Sequence, residues 1–443
     1  MQLYALSRPA VQTGIEFSPF TFSYIASYFN KKLNNRKKTM RYSKTLLTLT
    51  LLSCSLSPTT SLANGLLPYC FGSKMCQMGG AGAAIPLDST SGNVNPALMA
   101  NVGRDLALDP LVVLQKEHVN SSHTQLTRGT PLPPYTGKLT NKIKAYAAGY
   151  SGLNYDINPQ WSFGLSTGGG GNNARYKSSI VSPALAAPRK LETLAGLAST
   201  ILAYKPTCDQ AYGVSLIVGY LQMKNNLTKF PSGVVTRGAG KTDWGMGIGA
   251  RVGGQWDASQ FLSFGLAAST PTYFQRLKKY RDVLYHAPQL PPIVTGGFAW
   301  HARKDTEVLF DLEGVFWKAS PFTAKKPPSG VNWRNVLVFK FGIQHAVNPD
   351  VLLRIGYNYG RTPVPSKAVL FNALDEVITL SEHVFSLGFT REITKTMSFD
   401  LGGAYLFPKK LKDNGQGPAG LAAKGLTVKA SAIMVTLGFN LKY

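Results

Sequence analysis

The chain runs out through Ile433-Met434-Val435-Thr436-Leu437-Gly438-Phe439-Asn440-Leu441-Lys442-Tyr443. Ile433, Val435, Leu437, Phe439, Leu441 and Tyr443 fall on one parity. Met434, Thr436, Gly438, Asn440 and Lys442 fall on the other. Successive side chains of a strand point to opposite faces. The stretch therefore reads as a strand with one continuously apolar face and one polar or small face.

Working back from it, the same parity recurs. Leu353, Ile355, Tyr357 and Tyr359 oppose Arg354, Gly356 and Asn358. Leu337, Phe339, Phe341 and Ile343 oppose Lys340, Gly342 and Gln344. Val308, Phe310 and Leu312 oppose Asp311 and Glu313, and Phe399, Leu401 and Tyr405 oppose Ser398, Asp400, Gly402 and Ala404. A soluble sandwich also alternates. These strands, however, are longer than the usual five or six residues. Their polar face carries Gly, Ser, Asn and charges as a wet lumen does, and aromatics gather near strand ends as interfacial girdles do. A sheet in lipid has to close, because an open edge leaves amides without partners. The fold class expected is all-β, a transmembrane antiparallel β-barrel. Candidate strands lie at 105–118, 140–151, 159–168, 194–206, 209–223, 241–256, 259–270, 292–303, 305–318, 332–346, 349–360, 381–392, 395–407 and 428–443. The number is even, as in single-chain bacterial barrels. Short and long connections alternate. The aromatic last residue, Tyr443, with apolar residues at alternate positions before it, suits handling by the barrel assembly machinery.

Composition agrees. Of 443 residues, 44% are hydrophobic and 16% charged, with 44 glycines. That charged share is below the usual quarter of a soluble domain, and the chain is too apolar for disorder. Beyond residue 63 no apolar run reaches 18 residues, which excludes a polytopic helical membrane protein. Net charge is +25. Residues 1–63 hold eight basic residues and one acid, leaving 39 basic against 21 acidic residues, a net of +18. Such a surface favours anionic partners such as lipopolysaccharide phosphates. The basic residues are dispersed, and no zinc-finger or ribonucleoprotein motif is present, so nucleic acid is not an expected partner.

The N-terminus reads as a targeting segment. Met40-Arg41-Tyr42-Ser43-Lys44 precedes an apolar stretch from Leu46 to Leu56, then Ser61-Leu62-Ala63. This is a basic region, a short apolar region and a small-x-small cleavage site. Translation is expected to start at Met40 and cleavage to follow Ala63, with residues 1–39 an upstream extension. Leu51-Leu52-Ser53-Cys54 offers a weaker lipoprotein-type alternative. Cys70 and Cys76 follow directly. In an oxidising compartment they form a small disulfide; unpaired thiols are the alternative. No Cys/His cluster has metal spacing.

Between Asn64 and the first strand lie about 40 residues without barrel alternation. They contain Gln77-Met78-Gly79-Gly80-Ala81-Gly82-Ala83-Ala84-Ile85, then Asp88, then Asn95-Pro96-Ala97-Leu98-Met99. This stretch resembles the N-terminal hatch of the FadL/TodX long-chain fatty-acid and hydrocarbon outer-membrane transporters. The second half shows a matching order: Leu290-Pro291-Pro292-Ile293, Trp317-Lys318-Ala319-Ser320, Arg354-Ile355-Gly356-Tyr357, and Thr362-Pro363-Val364-Pro365. The resemblance implies a monomeric barrel of about fourteen strands with a plugged lumen, 64–104 as hatch and 105–443 as barrel. It also implies uptake of long-chain fatty acids or similar hydrophobic compounds. Capture would be at an outer groove, and a kink in the third strand would open a window toward the membrane. Here that region reads Trp161-Ser162-Phe163-Gly164-Leu165-Ser166-Thr167 followed by Gly168-Gly169-Gly170-Gly171, a departure from the family pattern. A general porin or surface adhesin is the alternative function.

Several residues carry the functional expectation. Gly79, Gly80, Gly82, Asn95, Pro96 and Ala97 are expected to shape the hatch. Tyr273, Phe274 and Arg276 belong to the loop 271–291, which either forms an apolar groove with a basic rim or contacts lipopolysaccharide phosphates as a basic loop. Lys340 and Arg354 lie on the lumen phase, where they either meet a ligand carboxylate or pair with lumen acids such as Asp311, Glu313 and Asp400. The stretch 181–197, with Val181, Leu185, Leu191, Leu194 and Leu197, is a further groove candidate, and the spacing of its last three leucines suits a short helical turn as well as a strand entry. The histidines His118, His123, His286, His301, His345 and His383 are scattered, and no nucleophile elbow, phosphate loop or metal motif accompanies them. No enzymatic activity and no cofactor are expected.

Overall fold

The computed structural model describes residues 67–126, 135–177, 189–226, 238–282, 284–327, 329–369, 372, 381–417 and 423–443. The start at Met40, the cleavage site at Ala63, Cys54, Val181 and Leu185 lie outside the described residues.

Alternating side chains and antiparallel pairing build one closed sheet. Its strands are β1 (Asp105–Leu126), β2 (Tyr135–Thr140), β3 (Ala145–Asp156), β4 (Trp161–Tyr176), β5 (Arg189–Thr207), β6 (Gln210–Asn225) and β7 (Asp243–Ser259). They continue with β8 (Leu262–Ser269), β9 (Thr272–Phe274), β10 (Gln289–Leu290), β11 (Ile293–Arg303) and β12 (Thr306–Val315). The wall ends with β13 (Val336–Asn348), β14 (Val351–Gly360), β15 (His383–Thr394), β16 (Met397–Lys412) and β17 (Ala423–Lys442). Three wall positions are each split in two. β2 and β3 both pair with β1, at successive heights. β9 continues β8 beyond Pro271, and β10 precedes β11 across Pro291-Pro292. Proline has no N–H for a ladder and interrupts it where it falls. Fourteen wall positions result, all antiparallel, and β1 against β17 closes the ring from Asp105↔Lys442 to Leu126↔Ala423.

The parity read from the sequence sets which side faces out. Along β14, Leu353, Ile355 and Tyr357 are exposed while Arg354 and Asn358 are buried. Along β17, Ile433, Val435, Leu437 and Phe439 are exposed while Ala432, Met434, Thr436 and Asn440 are buried. The outside of the barrel is thus apolar over many strands, the reverse of a soluble protein. Aromatic pairs ring both ends of that apolar band. Trp161 with Tyr204 and Tyr212 with Trp256 lie near the short-turn rim. Tyr220 with Trp244, Phe339 with Tyr359 and Tyr405 with Phe407 lie toward the long-loop rim. Among the described residues no helix is long and apolar enough to cross a membrane.

Several expected strand limits differ from those observed. The first wall strand runs to Leu126 and not to 118, and the second is divided into β2 and β3 and ends at Asp156 and not at 151. The thirteenth runs to Lys412 and not to 407, and the last begins at Ala423 and not at 428. The third wall strand extends to Tyr176 and not to 168, and the fourth begins at Arg189 and not at 194. Both extensions pair with each other through Tyr176↔Arg189. The glycine run Gly168–Gly171 has no alternating side chains to read, so the sequence gives no sign that the strand continues through it. Leu191, Leu194 and Leu197 stand on β5, as a strand entry and not a helical turn.

Candidate functional site

The N-terminal segment from Leu67 to Arg104 packs on the inward side of this wall. Helix α1 (Ser73–Gln77) lies against β14 to β17, and helix α2 (Met99–Val102) against β3 to β6. Cys70 and Cys76 are joined by a disulfide, Cα atoms 4.9 Å apart, across the first turn of α1. The hydroxyl of Tyr69 donates to the Cys76 carbonyl at 3.2 Å, and burial pushes its pKa well above the ordinary value.

Wall side chains supply the segment with hydrogen-bond partners that its irregular backbone lacks. Asp311 Oδ2 accepts from the backbone N–H groups of Gly82 and Ala83, at 2.8 and 3.0 Å. Asp109 Oδ2 accepts from Ser73 N–H at 3.0 Å and Asp105 Oδ2 from Ser89 N–H at 2.8 Å. Gly79 N–H donates to Ser386 Oγ at 2.9 Å, and Ser386 donates in turn to the Gln77 carbonyl at 3.0 Å. Asn358 Nδ2 donates to the Gly79 carbonyl at 3.0 Å, and Asn154 Nδ2 to the carbonyls of Met99 and Gly103.

The expected motif residues sit at these crossings. Asn95 caps the short turn Pro96–Leu98 by accepting from Ala97 N–H at 3.1 Å. Its amide donates to the Ala83 carbonyl at 2.9 Å and to the Gly254 carbonyl of β7 at 3.0 Å, so one side chain ties two parts of the segment to the wall. Gly79 and Gly80 take positive φ angles of 65° and 86° that a side chain would strain. Inward glycines of the wall are seats for the segment's backbone. A Cβ on Gly356 would stand 2.0 Å from the Met78 carbonyl carbon, and one on Gly265 would stand 1.9 Å from the Ala83 oxygen. The sequence reading took such glycines as part of a wet polar face; at this level the face is covered by protein.

Lys340 and Arg354 are both buried in the lumen and both engaged. Lys340 Nζ lies 2.8 Å from Glu313 Oε2. Arg354 lies 3.7 Å from Asp400, donates to Gln344 Oε1 at 3.1 Å and to Gln77 Oε1 of the segment at 3.2 Å, and also bonds Thr390. Arg354 belongs to a longer belt. From Ser263 the side-chain contacts pass to His301 (2.9 Å), Glu307 (2.8 Å), Gln344, Arg354, Thr390, Asp400 and Asn440 (2.7 Å to Asp400). That chain links β8, β11, β12, β13, β14, β15, β16 and β17, eight of the fourteen wall positions. Beside it, toward the short-turn rim, a polar cavity of about 530 Å³ is lined by Gln255, Asp257, Ser263, His301, Glu307 and Gln344, with Ile85, Pro86 and Asn101 of the segment on its other side.

The remaining candidates do not converge with these. Tyr273 pairs with Ile248 and is exposed on the outward side. Phe274 pairs with Gly247 and is buried inward, over Gly219 and Gly247. Arg276 is exposed and donates to the Tyr285 carbonyl at 3.2 Å. Around the wall, β10, β11 and β12 separate this group from Lys340. At the long-loop rim a different apolar cluster forms, with Trp317 and Trp333 at its centre, rings 4.6 Å apart edge to face, packed by Leu67, Val331, Val364, Val369 and Leu426.

The wall itself has a gap. β3 and β4 pair from Asp156↔Ser162 to Tyr150↔Gly168 and no further. Above Gly168, β4 runs on for eight residues paired with β5 alone, while residues 145–149 of β3 pair with β1 alone. The two edges meet again at Asn141. Its Oδ1 accepts from the N–H groups of Ile143 and Arg175, both at 3.0 Å, and its Nδ2 donates to Glu117 Oε2 at 3.0 Å. Lys142 N–H donates to the Arg175 carbonyl at 2.8 Å. Phe71 and Tyr150, rings 5.7 Å apart, stand at the lower end of the gap. The sequence reading missed Asn141, because it set the residue inside one strand at 140–151 and not at the break between β2 and β3.

The comparisons with known proteins agree with this architecture. Residues 318–443 match the family model described as outer membrane protein transport protein (OMPP1/FadL/TodX). The fold matches the Pseudomonas putida toluene transporter TodX at TM-score 0.64 and 13% identity, covering 85% of this chain and 99% of that one. It matches a Pseudomonas aeruginosa FadL homologue at TM-score 0.61 and 14% identity, covering 86% and 100%. It matches the Ralstonia pickettii toluene transporter TbuX at TM-score 0.59 and 15% identity, covering 85% and 99%. No curated protein matches the sequence. The resemblance read from the hatch-like stretch and the second-half motifs is borne out, at the level of family model and fold.

Proposed function

We propose that this FadL/TodX-like barrel sits in the outer membrane and admits hydrophobic small molecules. They enter the lumen above the N-terminal segment and leave through the gap between β3 and β4, with that segment acting as a hatch. The observation that carries this reading is the loss of pairing above Tyr150↔Gly168 in an otherwise complete ring. An unpaired strand edge facing lipid costs several kcal/mol per bare polar group. A wall that tolerates one beside its filled lumen has a use for the opening. Apolar transfer, at about 25 cal/mol per Å² of buried surface, would drive capture, and a sideways exit spares an apolar molecule the polar cavity at the short-turn rim. The apolar outside and the two aromatic belts support the membrane setting. The hydrogen bonds that Asp311 and Asp109 accept from the segment, and those that Ser386 and Asn358 donate to it, support a hatch held by wall side chains.

Bridging the gap tests the route. Cysteines replace Ala148 and Gly170, which face each other if the register of the pairing below is continued, in a Cys208→Ser background. A short bifunctional maleimide joins them. The bridged barrel should take up labelled dodecanoate or toluene several-fold more slowly than the same protein labelled singly. Equal rates would remove the lateral route.

A further inference from the structure

The outward face of the barrel does not stay apolar up to its edge. Toward the long-loop rim of β16, β17, β1 and β2 it carries Lys410, Lys412, Lys429, Lys116 and Lys138, all exposed. The registers set them side by side. Lys410 pairs with Lys429, Lys429 with His118 and His118 with Thr140, in one rung across the strands. Two residues further along, Lys412 pairs with Thr427, Thr427 with Asn120 and Asn120 with Lys138. Lys116 lies on the same face, opposite Ser431. The charges of Lys138, Lys116, Lys144 and Lys429 all act on the His118 ring.

Like charges directly opposite each other destabilise a strand pair, and no acid on this face offsets them. The carboxylates of these strands, Asp105, Asp109, Glu117 and Asp400, are all buried. Lys409, on the inward side of β16, has Glu382 as its partner; the outward lysines have none among the described residues. The patch is local, since other strands carry Tyr220 with Trp244 and Phe339 with Tyr359 toward the same rim. Directly beneath it the face turns apolar, with Leu114 on β1, Ile433 on β17 and Tyr405 on β16 exposed. An occupant that satisfies both levels carries several negative charges above hydrocarbon chains. Neighbouring strands lie about 4.8 Å apart, so the patch is about 14 Å wide, more than a single phosphate covers. The long-loop end of such a barrel faces the cell exterior, and a face running along lipid at that end meets the head groups of the outer leaflet.

We propose that this face is a docking surface for lipopolysaccharide. The lysines of β16, β17, β1 and β2 hold the phosphates of its lipid A head, and the apolar residues beneath them contact its acyl chains. This goes beyond the transport reading and shares with it only the outer-membrane setting.

The test titrates three lipids into the full barrel in detergent and counts bound lipid by native mass spectrometry: lipid A with both phosphates, lipid A stripped of phosphate, and phosphatidylglycerol. The bisphosphorylated form should bind roughly 10-fold or more tightly than either of the others. Lys116→Gln/Lys410→Gln/Lys429→Gln should weaken its binding roughly 10- to 100-fold, the combined effect of three lysines at an anionic lipid surface. Arg303→Gln/Lys304→Gln/Lys395→Gln, which removes as many charges at the short-turn rim, should leave binding unchanged. Equal affinity for lipid A with and without phosphate would overturn the assignment, as would equal loss in the two variants. Phosphatidylglycerol bound as tightly as lipid A would also overturn it, by reducing the patch to a general attraction for anionic lipid. Should the first variant not assemble, acetylation of the wild-type barrel decides. Bisphosphorylated lipid A should protect Lys116, Lys410 and Lys429 and leave Lys304 and Lys395 reactive. Reactivity unchanged by lipid A at all five positions would overturn the proposal.

Discussion

A carboxylate on the inner face of a barrel can line water or hold something in place, and Asp311 does the second. It is fully buried and receives two N–H groups from the turn Gly82-Ala83. Replacing it with alanine leaves both donors without an acceptor, at about 1–3 kcal/mol each. The expected outcome of Asp311→Ala is faster hydrogen exchange, roughly 10- to 100-fold, across residues 79–87, with heat-modifiable mobility of the barrel retained. Unchanged exchange would mean the segment is held by packing alone. At this scale the sequence was half legible. Parity placed Asp311, Glu313, Asp400, Lys340 and Arg354 on the lumen side. It could not say which of them face the N-terminal segment, because that depends on where an irregular chain crosses the strands.

Strands were the most legible elements, since each carries its own period-two signal and a wall position needs no long-range information. Signal fails where side chains are absent or the ladder changes partner. The glycine run in β4 is the first case. The division between β2 and β3, where β1 is shared at two heights, is the second. The gap between β3 and β4 arises at their junction. Asn141 bounds it by tying Glu117 of β1 to Arg175 of β4. Asn141→Ala removes three hydrogen bonds at that corner. Spin labels at positions 144 and 177, in a Cys208→Ser background, should then show a longer and broader distance distribution than in the parent. An unchanged distribution would assign the corner to the Lys142–Arg175 backbone contact alone.

The described residues form an apolar-skinned ring with the segment from Leu67 to Arg104 inside. The ring follows from alternation and the need to close an edge in lipid. The occupied lumen follows from inward glycines such as Gly356 and Gly265, whose missing side chains leave room for the Met78 and Ala83 backbone. Eight of the fourteen wall positions are further laced by the belt from Ser263 to Asn440, and the gap lies among the other six. In the route proposed above, the laced side holds the N-terminal segment and the open side is the exit. The central claim is transport of hydrophobic molecules, and uptake measures it directly. Cells lacking their own outer-membrane channels for hydrophobic compounds would carry this barrel or an empty vector, and entry of ¹⁴C-dodecanoate at low concentration would be followed. Several-fold faster entry is expected with the barrel present. Equal entry with and without it would mean that the barrel does not carry such molecules.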